Sequence, residues 1–224
     1  MRLKTENSFD VGFSLIELLI AMSITLFAMM IGTSLLAGGF NTQRRENQRS
    51  DALADAQRSL NIMTREIANS GFGLTTNGIV AADSGLSAIR FRANLNAFSG
   101  PGFNDRTSDP GEDVRYYLHM SGSTQVIAKY DVNTATATTL ANRIDNLRIR
   151  YYGAKVDYQS ANCDITSSGT QVTPSAAGYV VLTICVQLPQ VSVPGAPGYQ
   201  PASVVQLTSD VTIRNSSQAK LNEY

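Results

Sequence analysis

The chain has 224 residues and a mass of 24.1 kDa, enough for one domain of ordinary size with an appendage and too little for two large ones. Eighteen Lys+Arg balance 18 Asp+Glu and charged residues make up only 16%, which excludes phosphate-backbone binding by bulk charge and excludes a charge-rich disordered chain. The mean hydropathy of −0.08 is that of a soluble protein, but it averages two very unlike regions.

The first region is uncharged from Leu18 to Gln43, and its centre reads LLIAMSITLFAMMIGTSLLAGGF. At 1.5 Å per residue the run Leu18 to Phe40 makes a helix of about 35 Å, enough to cross a hydrocarbon core of about 30 Å. No second apolar run of that length follows. A single N-terminal anchor carrying a domain outside the bilayer is expected.

The helix does not end with its hydrophobicity. Residues 41–69 contain no Pro and place Leu53, Ala56, Leu60, Met63 and Ile67 at alternating spacings of three and four, one apolar stripe on a helix that is wet elsewhere. Ser70-Gly71-Phe72-Gly73 supplies a stop. The pattern predicts one helix over 13–69, about 85 Å long, with Gly32, Gly38 and Gly39 as its weak points.

After Gly73 the period changes. Segments 88–93, 114–120, 125–130, 147–152, 179–188 and 204–214 are β-branched, aromatic and partly alternating, and read as strands. Turn-rich stretches separate them, and all seven prolines lie beyond residue 100, four of them between Pro189 and Pro201. A mostly antiparallel sheet packed on the helix stripe is expected, an α+β fold.

Immediately before the apolar run stands Gly12-Phe13-Ser14-Leu15-Ile16-Glu17-Leu18. A Gly, an aromatic residue, then a Glu five residues into the following chain, all at the edge of such an anchor, resembles the signature of type IV prepilins and type II secretion pseudopilins. The resemblance implies a pilin-like fold with a leader over 1–12, a transmembrane helix half over 13–40, an amphipathic half over 41–70 and a β-rich domain over 71–224. It also implies cleavage between Gly12 and Phe13 by prepilin peptidase, N-methylation of Phe13, and a role for Glu17 in assembly. A carboxylate one turn into an apolar helix is costly in lipid without a partner. The α-amine freed at Phe13 of a neighbouring subunit would supply one, removing two unpaired charges together. The plainer alternative is that Glu17 marks the interfacial edge of an ordinary signal anchor. A cleavable secretory signal ending near Ala37-Gly38-Gly39 fits less well, because the apolar run exceeds the usual 7–15 residues.

Two features depart from major pilins. Arg2 and Lys4 precede the anchor and Arg44, Arg45 and Arg49 follow it, so a positive-inside count does not set the orientation, which rests on the resemblance. The anchor also lacks a kinking Pro. Residues 142–152 and 207–215 look loosely like PilW-type minor pilins and the related J-class minor pseudopilins.

The two cysteines, Cys163 and Cys185, are not in a CxxC arrangement. In a domain outside the cytoplasmic membrane such a pair reads as a disulfide, the alternative being two unlinked thiols of which Cys185 is core. His119 is the only histidine, no nucleophile signature accompanies it, and neither a catalytic triad nor a zinc site is supported. No cofactor is expected. The loop 104–113 gathers Asp105, Asp109, Glu112 and Asp113, but it does not match D-x-[DN]-x-[DN]-G, and Asp with Pro-Gly is ordinary turn chemistry; whether it binds calcium stays open. Arg44, Arg45 and Arg49 read as a solvated helix face near the membrane, with anionic headgroups or acidic neighbours as the sharper alternative.

The function expected from the resemblance is that of a non-enzymatic minor pilin that primes or caps a type IV pilus. Its partners would be prepilin peptidase, other minor and major pilins, the inner-membrane assembly platform, membrane lipid and a tip adhesin, with no nucleic acid. It would sit in the inner membrane with its domain in the periplasm, then in the filament. The alternatives are a minor pseudopilin of a type II secretion system and, more distantly, a membrane-tethered binding protein.

Overall fold

The computed structural model describes residues 14–96, 107–141 and 143–214. The chain divides into two compact units, one comprising the residues up to Arg45 with Gln190–Pro201, the other Glu46–Pro189 with the residues from Ala202 onward. Helix α1, Leu15–Ala68, contributes to both.

In the first unit α1 runs through Gly32, Gly38 and Gly39 without interruption, so the expected weak points do not break it. Three of its hydroxyls turn inward on the backbone: Ser23 Oγ donates to the Leu19 carbonyl, Thr25 Oγ1 to that of Ala21 and Thr33 Oγ1 to that of Met30. The loop Gln190–Pro201 belongs to this unit. It is closed by Val191 and Gln200, whose backbones exchange hydrogen bonds of 3.0 and 3.1 Å.

In the second unit α1 presents Ala52, Ala56, Leu60, Met63 and Ile67 to the core. Leu53, expected in this stripe, is instead 42% exposed. At about 100° per residue, Ala52 and Leu53 flank the stripe's centre almost equally. Val186 and Leu188 cover only the Ala52 side, where they share a cleft with it.

Among the described residues nine strands follow, all paired antiparallel. The first sheet has the order β1 (Ala88–Arg92), β2 (Asp113–Ser121), β3 (Thr124–Asp131), β4 (Thr136–Thr139). The second places β8 (Tyr179–Leu188) between β5 (Asn146–Tyr152) and β9 (Ser203–Thr212). A hairpin, β6 (Tyr158–Ala161) and β7 (Asp164–Ser167), stands apart. Six strands match the sequence reading. β4, β6 and β7 were not expected, being four residues each and too short to show a period. The sheets meet where the Ile149 amide of β5 donates to Leu86 O (2.8 Å) and the Tyr151 hydroxyl to Gly85 O and Ala88 O.

The core lies between the helix stripe and both sheets. Val180, Leu182, Ile184, Val186 and Leu188 of β8 face it, while Tyr179 and Val181 on the other side pack with Tyr152, Ile165 and Tyr158. β8 is thus covered on both faces, which is why it reads as a continuous apolar run.

The exit from α1 is fixed by Asn77. Its amide nitrogen donates to Pro174 O and Ala177 O (both 2.9 Å), its side-chain oxygen accepts from the Ile79 amide, and Ser70 Oγ donates to its carbonyl. Gly78, at φ +75°, passes so close to Gly71 that a Cβ would lie 2.3 Å from the Gly71 nitrogen.

Met63→Ala opens a cavity under the stripe and is expected to cost about 2–5 kcal/mol, whereas Leu53→Ala stays within about 0.5 kcal/mol. Urea unfolding of the two variants in detergent, followed by circular dichroism, checks the contrast.

Candidate functional site

The head of α1 brings together the motif residues that lie within the described chain; Gly12 and Phe13 lie outside it. Ser14 is the residue before the first helical position, and its amide donates to Glu17 Oε2 at 3.0 Å. Ser-x-x-Glu is one half of a capping box, in which the third helical residue reaches back to an amide left without an intrahelical acceptor. Glu17 is therefore already engaged within the single chain, a role the sequence reading passed over although Ser14-Leu15-Ile16-Glu17 spells it.

From Leu15 to Phe40 nearly every side chain is exposed. Among the described residues, this is the one helix long and apolar enough to cross a membrane. Its backbone is bonded within the helix, and the hydroxyls of Ser23, Thr25 and Thr33 bond to that backbone, as suits a segment surrounded by lipid.

The three arginines that follow the apolar run part company. Arg44 and Arg49 are exposed, but Arg45, expected on a solvated face, is only 6% exposed. Its Nη2 donates to Pro201 O at 2.8 Å, so the Gln190–Pro201 loop covers it.

In the second unit Cys163 and Cys185 form a disulfide, with Cα atoms 5.7 Å apart. The alternative of free thiols falls. The bridge ties the β6–β7 hairpin to the outward face of β8. Polar contacts extend the tie: the Cys163 amide donates to Gln206 Oε1, Ser160 Oγ to Thr208 Oγ1, and Tyr158 Oη to Asp210 Oδ1. Arg150 holds Asp164 by two hydrogen bonds, Nε to Oδ1 at 3.0 Å and Nη2 to Oδ2 at 2.5 Å. These bonds keep the Asp164 carboxyl below the usual carboxylate range. Burial, with help from Asp210, pushes the Tyr158 phenol up to about 12.

The acidic loop does not converge on a point. Asp105 lies outside the described residues. Asp113 is buried on β2 between Arg90 Nε (2.7 Å) and Arg92 Nε (2.8 Å), and Arg90 also reaches Asp83. Burial alone would raise its carboxyl, but hydrogen bonds from Arg90 and Arg92 outweigh it and hold the group below its ordinary value. Glu112 accepts from the amides of Leu95 (2.7 Å) and Asp109 (3.1 Å), and Asp131 from that of Gly111. Among the described residues no three His, Cys, Asp or Glu side chains gather in a way that could hold a metal. His119 is exposed on β2, edge-on to Tyr117 at 6.0 Å.

A further charged contact, unseen in the sequence, joins helix to sheet. Glu66 accepts from Lys129 Nζ (2.7 Å) and from the Tyr116 hydroxyl. Burial and the Glu66 charge push the Tyr116 phenol well above the usual range.

No protein-family model, curated protein or solved structure matches the chain.

The depressed carboxyls set an acid limit. Asp113 and Asp164 contribute stability that is full above the ordinary carboxylate pKa of about 4 and is lost as pH falls through their lower folded values. The urea midpoint is expected to fall on acidification below about pH 4, and less steeply in Asp113→Asn, which starts less stable. Reducing Cys163–Cys185 is expected to cost about 3 kcal/mol by the chain-entropy relation, read as the difference in urea midpoint with and without reductant.

Proposed function

We propose that this chain is a minor pilin: a non-enzymatic subunit cut between Gly12 and Phe13 by prepilin peptidase, methylated at Phe13 and held in the inner membrane with its β-domain in the periplasm. From there it is drawn into a type IV pilus, which it primes or caps. The observation that carries the reading is the head of α1. The run Gly12-Phe13-Ser14-Leu15-Ile16-Glu17 opens a helix whose apolar first half is exposed on almost every side, with a single carboxylate in its first turn.

The mechanism follows from what that surface needs. In the membrane, lipid covers it; in a filament, the same surface packs against the helices of other minor and major pilins. Glu17 supplies the one charge that can set the register by pairing with a neighbour's Phe13 amine, since an unpaired carboxylate among packed apolar helices is costly. The β-domain, stapled by Cys163–Cys185, presents loops to partner pilins or a tip adhesin. A minor pseudopilin of a type II secretion system would use the same anchor chemistry. A membrane-tethered binding protein would keep its first twelve residues.

Co-expression with a prepilin peptidase is expected to shorten the chain from 224 to 212 residues, the loss of residues 1–12, and to leave a methylated Phe13 by intact-mass measurement. An N-terminus elsewhere overturns the reading. Glu17→Gln keeps a side chain able to close the capping box and removes the charge. It is expected to cut co-purification with companion pilins at least about tenfold while leaving helix content unchanged. Identification of those companions separates pilus from secretion use.

A further inference from the structure

The loop Gln190–Pro201 contains no Asp, Glu, Lys, Arg or His, unusual for a twelve-residue surface connection. Its conformation is written in VPGAPGY. The Ala196 amide donates to Val193 O and the Tyr199 amide to Ala196 O, both at 3.1 Å. Each turn has Pro at its second position and Gly at its third, with Gly195 at φ +86° and Gly198 at φ +70°. These are the marks of two consecutive type II turns.

The second turn lies on the anchor helix. A Cβ on Gly198 would fall 2.6 Å from Gly38 Cα, so only glycine allows this approach. Asn41 Nδ2 donates to Pro197 O at 3.2 Å and Arg45 to Pro201 O. The first turn is the free tip, with Val193 64% exposed.

Depth along the helix decides what the tip meets. The apolar run Leu18–Phe40 is about 35 Å long against a core of about 30 Å, so with Glu17 at one boundary the surplus of about three residues puts Gly38–Phe40 at the other. The second turn touches the helix at that level, inside the uncharged stretch, while Pro201 at the end of the loop meets Arg45 further along. The loop's polar backbone is already subdued: three of its residues are prolines without an amide, and four amides are bonded within it. The other five amides can be met by the water and headgroups of an interfacial layer, so entering that layer costs the loop less than entering hydrocarbon would. Tyr199, half-buried beside the helix, is a residue type favoured at that depth.

We propose that Gln190–Pro201 is a membrane-surface wedge, whose Val193–Ala196 tip inserts into the interfacial layer of the leaflet from which α1 emerges. The wedge rests on the anchoring of α1 and not on the use of the protein in a pilus.

The chain contains no Trp, so single-Trp variants report depth. Val193→Trp, Phe40→Trp and Thr138→Trp are made in the full chain and reconstituted in phosphatidylcholine vesicles carrying bromine on shallow or deep acyl carbons. Shallow bromines, about 5–10 Å below the headgroups, are expected to quench V193W at least about twofold, F40W likewise, and T138W not at all. V193W behaving like T138W while F40W is quenched overturns the wedge and leaves the anchor standing. Quenching of T138W as strongly as V193W also overturns it, because the contact would then not belong to the loop. An unquenched F40W removes the anchor and the wedge together. Adding Gly198→Val to V193W, which displaces the loop from Gly38, is expected to abolish the quenching; unchanged quenching overturns the wedge, because its depth would then not be set by the helix contact.

Discussion

One helix faces two kinds of surroundings, and the rest of the molecule answers to that. From Leu15 to Phe40 α1 is apolar nearly all round and, among the described residues of its own unit, meets only the Gln190–Pro201 loop; from Glu46 to Ala68 it is apolar on one stripe. The first pattern suits a segment that has only lipid or other helices about it, where every backbone group must be bonded internally. The second suits a helix half covered by sheet and half by water. The sheets are accordingly apolar on the faces that meet Ala56, Leu60, Met63 and Ile67. The polar ties between helix and sheet, Glu66 with Lys129 and Tyr116, sit at the margin of that contact.

Periodicity made much of this legible. The stripe on the second half of the long helix shows a repeat of 3.6, and six strands are long enough to be read from their β-branched, aromatic and partly alternating residues. The four-residue strands β4, β6 and β7 are not. Yet β8 held an unused signal: Tyr179-Val-Val-Leu-Thr-Ile-Cys-Val186 lacks the alternation of a half-exposed strand, so both faces had to be covered. The second cover is the β6–β7 hairpin, and the disulfide from Cys163 to Cys185 is its covalent fastening. Leu53 shows the opposite failure. Spacing alone gives Ala52 and Leu53 equal claims on the stripe, and only the reach of Val186 and Leu188 separates them.

At the candidate site, legibility depended on whether a residue's partner is near in sequence. The capping box between Ser14 and Glu17 is local and could have been read. The burial of Arg45 could not, because it depends on a loop 156 residues away. The same loop makes Gly198 the glycine this approach requires: a Cβ there would lie 2.6 Å from Gly38 Cα, whereas a Cβ on Gly38 would meet the loop at an ordinary contact distance of 3.5 Å.

The cap on Glu17 also bears on how a subunit would leave the membrane for a filament. A Gln would close the capping box as well as a Glu, so the hydrogen bond to Ser14 does not account for the charge. Attraction between a carboxylate and the partial positive charge of the helix N-terminus adds only about 0.3–1 kcal/mol. A neighbour's α-amine carries a full charge, and among packed apolar helices, where the effective dielectric is low, its attraction is several times larger. The cap satisfies one amide and orients the carboxylate, and if the chain is a filament subunit it would be a holding arrangement, weak enough to be surrendered when a full positive charge arrives. On the proposed reading, assembly exchanges one partner of Glu17 for a stronger one, so the carboxylate need not stand bare among apolar side chains before the neighbour docks.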